Sequence, residues 1–365
     1  ISAPRDALGD GVFATVDDAV DAAANAFREL DGMSLEGRQR IIASIRESMF
    51  ENAAELARLA HAETGLGRVE DKIVKNRLVT RKTSGTEVLT PQAVTGDSGL
   101  TLTEYAPYGV IGAITPTTNP TSTIICNTIA MVSAGNSIVF NVHPNARECS
   151  MANVRLIHQA ITRAGGPANL VTAVATPTIE SAQELMGHKG VRLLAVTGGS
   201  GVVRQAMTSG KRAICAGPGN PPVVVDTTAD LDHAARNIIA GASFDNNIVC
   251  VDEKEVIAVE SIADELVQRM GHHGARVLNE RELHKVTNVI FTEYPGRRQR
   301  APLEKDLIGK NASEILARAG IASHGDPRLL VVRVSNGHPL VWTEQMMPIL
   351  PITTAPDVNR AIELA

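Results

Sequence analysis

Between residues 108 and 240 one pattern repeats: a short apolar run, a polar turn, then a stretch with helical spacing. Residues 110–114, 137–140, 170–174, 191–196 and 222–225 read as strands, and residues 122–134, 146–164, 179–186 and 202–209 read as helices. A strand that reaches the next strand only through a helix pairs with it in parallel, by a right-handed crossover. Both faces of such a sheet are covered, which makes the class α/β and doubly wound, of the nucleotide-binding type. Ligands of these sheets sit at the carboxyl ends of the strands, so the loops after strands are where chemistry is sought.

Residues before this repeat form a helical lead-in. Val16, Ala19, Val20, Ala23 and Phe27 make one apolar face, with Asp17 and Asp18 in the first turn. A second helix is expected from an N-cap at Ser34 through Ile41, Ile45, Met49, Leu56 and Leu59, stopping at Gly65 or Gly67. Residues 82–105 lose this period; Leu100, Leu102 and Tyr105 alternate as in a strand. At ~150 residues per domain, 365 residues make two domains. Hydrophobic residues are 44% of the chain, enough for packed cores, and no apolar run reaches the ~18 residues of a membrane span. A net charge of −5 without a basic stripe excludes nucleic acid as the main partner. Cys126, Cys149, Cys215 and Cys250 show neither metal-ligand spacing nor disulfide density, which fits a reducing compartment.

Three strand-end loops are unusual. Residues 115–121 read Thr-Pro-Thr-Thr-Asn-Pro-Thr, residues 141–145 read Asn-Val-His-Pro-Asn, and residues 197–201 read Thr-Gly-Gly-Ser-Gly at the start of a helix. A glycine turn at a helix N-terminus suits either cofactor contact or tight packing, and it is not the spaced dinucleotide fingerprint. Cys250 ends the polar stretch Ala-Ser-Phe-Asp-Asn-Asn-Ile-Val from residue 242, and precedes a strand over 256–259. Such a thiol is either a nucleophile or a buried structural residue. The ten histidines are scattered, with no zinc spacing, and no Gly-x-Ser-x-Gly elbow supports serine chemistry.

Six stretches then stand in order: residues 105–112 (Tyr-Ala-Pro-Tyr-Gly-Val-Ile-Gly), 115–120 (Thr-Pro-Thr-Thr-Asn-Pro), 196–199 (Val-Thr-Gly-Gly), 216–226 (Ala-Gly-Pro-Gly-Asn-Pro-Pro-Val-Val-Val-Asp), 243–250 (Ser-Phe-Asp-Asn-Asn-Ile-Val-Cys) and 342–348 (Trp-Thr-Glu-Gln-Met-Met-Pro). Through them the chain resembles the aldehyde dehydrogenase superfamily, in its CoA-acylating branch, and is most similar to the propionaldehyde and acetaldehyde dehydrogenases of bacterial microcompartments. The resemblance implies a Rossmann-type nucleotide domain with N-terminal helices over 1–240, an oligomer-contact strand arm at 82–105, and a second α/β catalytic domain over 241–365. It implies oxidation of a short aliphatic aldehyde with NAD and coenzyme A. Cys250 matches the thiol that attacks the carbonyl. Asn119, with the backbone N–H of Cys250, takes the oxyanion hole, and Thr118 takes that role if the alignment slips by one. Thr115, Pro116, Thr117 and Thr118 join the cofactor contacts; Thr197, Gly198 and Gly199 lie beside the nicotinamide, Glu344 binds its ribose, and His143 with Pro144 stands near the adenosine ribose. No metal site is implied.

The hydrolytic relatives open the motif Glu-Leu-Gly-Gly-Lys with the glutamate that activates water. Here residues 216–220 read Ala-Gly-Pro-Gly-Asn. Loss of that base withdraws a general-base contribution of ~10²–10⁴-fold from water attack, whereas a thiol needs less help. An acyl-CoA product is therefore expected over the free acid of a hydrolytic enzyme. The competing classes are a non-catalytic assembly subunit and a zinc enzyme resembling histidinol dehydrogenase, prompted by Gly217-Pro218-Gly219-Asn220. The expected setting is the cytoplasm or a microcompartment lumen, as a dimer or tetramer, with shell proteins as further partners. The basic run 294–300 reads as a solvated loop rather than a CoA phosphate contact. No microcompartment-targeting helix is expected before Ile1, and the catalytic domain is expected to continue past Ala365.

Overall fold

The structure is a computed structural model that describes residues 8–365; the start of the expected N-terminal domain, residues 1–7, lies outside the described residues. Two compact units emerge. One holds the described residues up to Thr64 together with Lys72–Gly217, and the other holds Gly65–Asp71 with Pro218–Ala365.

The first unit opens with β1 (Val12–Phe13), α1 (Val16–Asp31), α2 (Leu35–Glu51), α3 (Ala53–Thr64) and most of α4 (Val69–Lys82). A hairpin of β2 (Gln92–Gly96) and β3 (Gly99–Thr103) comes next. The repeat then gives β4 (Val110–Ile114), α5 (Pro120–Ser133), β5 (Ser137–Asn141), α6 (Arg147–Arg163), β6 (Val171–Val174), α7 (Ile179–Gly187), β7 (Val191–Thr197), α8 (Ser200–Met207) and β8 (Arg212–Ala216). The sheet order is β1-β6-β5-β4-β7-β8, all parallel. The period of two along each strand makes two cores. Ile138 and Phe140 of β5 and Val171 and Ala173 of β6 pack with α2, α5 and α6. Val139 and Val174 point the other way, into a core with Ala19, Val20 and Ala23 of α1 and Leu185 and Met186 of α7.

Several expectations shift. The long second helix is two helices. Ser34 does cap α2, accepting from Gly37 N–H at 3.2 Å, but Asn52 leaves helical geometry and donates its side-chain amide to Ser48 O at 2.8 Å, so α3 starts afresh. Tyr105 lies beyond the end of β3. Two elements are not legible by period. β8 is a short edge strand with alternating exposure, and α4 buries Lys72, Lys75, Asn76 and Thr80 while Val74 and Leu78 are exposed. This inverts the amphipathic rule.

The second unit contains β9 (Pro222–Val225), α9 (Leu231–Ala242), β10 (Glu255–Val259), α10 (Glu260–His272), β11 (Arg276–Val277), α11 (Glu280–Ile290), α12 (Ala312–Arg318), β12 (Leu330–Arg333), α13 (Pro339–Trp342), β13 (Ile349–Ala355) and α14 (Val358–Leu364). Its parallel sheet runs β11-β12-β13-β10-β9. The strand at 222–225, which the sequence pattern joins to the first sheet, belongs here: Val223 pairs with Val256 and Val225 with Ala258. The junction between units therefore falls at Gly217–Pro218 rather than near residue 240. Adjacency in sequence does not decide which sheet accepts an edge strand.

Asn136 sets the entry into β4. Its Oδ1 accepts from Tyr108 N–H at 2.7 Å and Gly109 N–H at 3.2 Å, and its Nδ2 donates to Met131 O at 3.1 Å. Asn136→Ala strands these buried groups, and thermal or urea unfolding should show a loss of about 1–3 kcal/mol.

Candidate active site

In the first unit the chain runs from β4 outward through β5 to β6, then returns to place β7 on the other side of β4. The reversal between β4 and β7 is a topological switch point, where such sheets open a crevice. Ile114 pairs with Asn141 on one side and Val196 on the other, so the loops after β4, β5 and β7 leave one edge of the sheet together. This brings Thr115, Pro116, Thr117, Thr118 and Asn119, then His143 and Pro144, then Thr197, Gly198 and Gly199, to the same end.

Their local chemistry differs. Thr115 is buried, and its Oγ1 finds no hydrogen-bond partner among the described residues. Asn119 occupies the N-cap of α5 ahead of Pro120. Its Oδ1 accepts from Lys75 Nζ at 2.6 Å, and its Nδ2 donates to Thr118 Oγ1 at 3.1 Å. Lys75 escaped the sequence reading because it lies on the inverted face of α4; the signal was the polar spacing of Lys72, Lys75, Asn76 and Thr80. His143 Nδ1 accepts from Asn145 N–H at 3.1 Å, and burial lowers the imidazole's pKa, which favours the neutral ring. The two readings of the glycine turn divide between its residues. A Cβ at residue 198 would lie 2.7 Å from Val202 Cγ1, so Gly198 serves packing against α8, whereas Gly199 borders open space. A buried hydroxyl lacking a partner, beside an open glycine turn at a helix start, fits a nicotinamide cofactor.

The second unit carries the thiol. Of the four cysteines only Cys250 is exposed. Cys149 is buried, and burial together with the nearby Glu63 carboxylate pushes its thiol far up. Between α9 and Cys250, Asp245, Asn246 and Asn247 take φ of 47°, 55° and 65° in succession. Left-handed backbone costs ~1–2 kcal/mol per residue, less for Asn and Asp, so something has to hold it. Asp245 Oδ1 accepts Arg68 N–H at 2.8 Å, and Asp245 N–H donates to Asp71 Oδ2 at 2.9 Å. Asn246 Oδ1 accepts from Arg68 Nε at 2.8 Å, while its Nδ2 donates to Gly309 O and Asn311 Oδ1, both at 2.9 Å. Asn247 Nδ2 donates to Ala242 O at 2.8 Å and Glu253 O at 3.0 Å. Gly67 and Arg68, distant in sequence, are thus part of this loop's support.

Around it, a Cβ on Gly219 would stand 3.6 Å from Cys250 O, so residues 218–220 border the thiol's turn. Asn220 Nδ2 donates to Val341 O at 2.9 Å. Glu344 lies in this unit; burial raises its pKa, with the Lys254 ammonium and the Gly219 backbone opposing. Glu255 is buried, its Oε2 has no hydrogen-bond partner among the described residues, and burial pushes its pKa up to about 7, with the nearby Asn220 amide opposing. In the basic run, Arg297, Arg298 and Arg300 are exposed. No group of three His, Cys, Asp or Glu among the described residues is placed to hold a metal ion.

Comparison with known proteins identifies the family. Residues 9–294 match the model of the aldehyde dehydrogenase family, and the chain belongs to that family. Its relatives lie in the CoA-acylating branch. The acetaldehyde dehydrogenase (acetylating) of Bilophila wadsworthia is 48% identical over 361 residues, 97% of this chain and 74% of that protein. Rhodopseudomonas palustris propionaldehyde dehydrogenase with bound propionyl-CoA superposes with a TM-score of 0.92 at 45% identity, over 98% of this chain and 79% of that one. A second structure of that enzyme holds CoA and an acylated cysteine. The propionaldehyde dehydrogenase of the Clostridium phytofermentans fucose utilisation microcompartment gives 0.91 at 45% identity, over 97% and 80% of the two chains.

The packing of the second unit can be probed at two positions. Gly67 has φ +71°, and a Cβ there would collide with Asp245 Oδ1. Gly67→Ala should lower stability by about 1–3 kcal/mol and reduce turnover as the thiol's loop shifts. Glu255 keeps its proton in the folded state up to about pH 7, whereas an unfolded glutamate, with the ordinary value of 4.5, has already released it. The folded state then binds more protons between these values, so stability falls as pH rises through that window, by about 1–3 kcal/mol. Urea unfolding between pH 4.5 and 8 should show this slope in the parent and lose it in Glu255→Gln.

Proposed function

We propose that the protein oxidises a short aliphatic aldehyde to its acyl-CoA, with NAD as electron acceptor and coenzyme A as acyl acceptor, through a thioester on Cys250. The observation that carries this assignment to a residue is the exposed Cys250 thiol on a braced, strained turn, while Cys149 is buried and its thiol pushed up.

The Cys250 thiol loses its proton to water, the thiolate sulfur bonds to the aldehyde carbon, and the carbonyl π bond breaks so that its oxygen becomes an alkoxide. A bound nicotinamide cofactor supplies the acceptor for the hydrogen and two electrons that leave this carbon. The carbonyl reforms as a thioester on Cys250. The CoA thiol gives up its proton to water, its sulfur bonds to the acyl carbon, and the bond to Cys250 breaks so that the Cys250 thiolate leaves. We assign the oxyanion donor's role to Asn119 and the Cys250 backbone N–H on the resemblance, the cofactor's surroundings to Thr115–Thr118, His143, Pro144 and Thr197–Gly199, and its ribose contact to Glu344. Ala216 stands where hydrolytic relatives carry their base, so water attack has no general-base assistance at that position. This supports acyl-CoA release over a free acid, and the CoA-acylating relatives also set aside the non-catalytic alternative.

The exposed hairpin of β2 and β3 supports assembly into a homo-oligomer. Val94, Leu100 and Leu102 are exposed on a two-stranded sheet, which is marginal in water without a partner surface. A microcompartment setting is proposed from the relatives. Among the described residues no helix is long and apolar enough to cross a membrane.

NADH formation from propanal should require CoA and yield propanoyl-CoA; turnover at full rate without CoA would refute the acylating reaction. Cys250→Ala should abolish turnover, and Asn119→Ala should lower kcat by ~10²–10³-fold.

A further inference from the structure

Lys254 is a lysine with 0% relative exposure, four residues beyond Cys250 and one before β10. Its ammonium meets three acceptors: Asn247 O at 2.6 Å, Asn247 Oδ1 at 2.8 Å and Val249 O at 3.1 Å. An ammonium has three N–H donors, so each is used. Its own backbone is anchored too, Lys254 N–H donating to Pro221 O at 2.9 Å. The chain segment between these contacts carries the thiol. Asp252 N–H closes the turn on Val249 O at 3.1 Å, and Val249 N–H donates to Asp252 Oδ2 at 3.2 Å.

Burial of a lone ammonium is unfavourable, and apolar side chains would fill the same space without that desolvation. Burial lowers the pKa of Lys254, while Asp252, Glu344, Cys250 and Glu253 oppose that shift. The cation therefore sits among acidic groups beneath the thiol's turn, with its donors committed to the Asn247 side chain and to the two carbonyls that flank Ile248.

We propose that Lys254 is the positioning residue of the thiol: its ammonium holds the carbonyls of Asn247 and Val249 so that the Cys250 sulfur and backbone N–H are presented in one geometry. This rests on the assignment of Cys250 as nucleophile. Lys254 touches no reacting atom in this role. A displacement of ~1 Å at a reacting group lowers rate by ~10²-fold, which sets the scale of the effect.

The test compares Lys254→Met, which keeps length but removes the donors, with Lys254→Arg, which keeps a cation and donors, both in the full chain. Steady-state kinetics use propanal, NAD and CoA, and Cys250 acylation is monitored by intact mass after mixing with propanoyl-CoA. Lys254→Met should lower kcat by ~10²-fold and slow acylation in parallel, with KM for propanal and CoA within about threefold of the parent. Lys254→Arg should recover at least about tenfold of that loss. A Met variant within threefold of the parent kcat, or an Arg variant no better than Met, overturns the proposal. If Lys254→Met does not fold, as judged by circular dichroism, Lys254→Gln replaces it against the same criteria. Cys250→Ala separates the two failures. An active Cys250→Ala variant refutes the thiol assignment and the Lys254 role with it; an inactive one beside an unaffected Lys254→Met refutes the Lys254 role alone.

Discussion

The left-handed run Asp245-Asn246-Asn247 is the constraint on which the second unit of this protein depends. Three consecutive residues of positive φ are unfavourable for an L-amino-acid chain, and only short polar side chains able to bond locally tolerate them. Here each of the three does more than tolerate it. Asp245 bonds the Arg68 backbone, Asn246 bonds Gly309 and Asn311, and Asn247 bonds Ala242 and Glu253. The strained turn is thus the meeting point of segments around residues 68, 245 and 310, and the thiol is carried just beyond it. Strain held at a functional site by an over-determined surrounding is a form of pre-organisation.

The first unit reaches its site by a different route, through topology. Strand order alone places the loops after β4 and β7 at the reversal point, and the split of Ile138 and Phe140 from Val139 packs a core against each face of the sheet. Buried polar groups then set the details. The Thr115 hydroxyl is buried without a partner among the described residues, and Asn119 is held between Lys75 and Thr118. In one unit the order of strands brings the loops after β4, β5 and β7 to one edge of the sheet, and in the other a braced turn carries an exposed thiol.

Much of this was legible from local pattern. The alternation from 110 to 196 identified the first sheet's central strands and helices, because hydrophobic period reports burial directly. The loops at 115–119, 143–144 and 197–199 stood out because each lies at the carboxyl end of a strand, where parallel sheets bind ligands. The pattern failed where burial and polarity part company. Helix α4 turns Lys75 and Asn76 inward, so its period reads as a surface. Strand 222–225 looks like the next member of the first sheet but pairs with β10. Lys254 stands in a run of charged residues with no apolar period to mark it, and it is fully buried.

By itself the sequence determined the α/β class, the positions of the strand-end loops, the thiol at Cys250 and the absence of a base at residue 216. These are properties of residue identity and short-range period. Only the tertiary structure decided which sheet takes residues 222–225, that Gly67 and Arg68 brace a loop 177 residues beyond Arg68, and that Lys254 lies beneath the turn rather than in water. The physical reason is one and the same. Hydrogen bonds between distant buried polar groups leave no periodic trace in the chain, and their partners are set by packing that no local window contains.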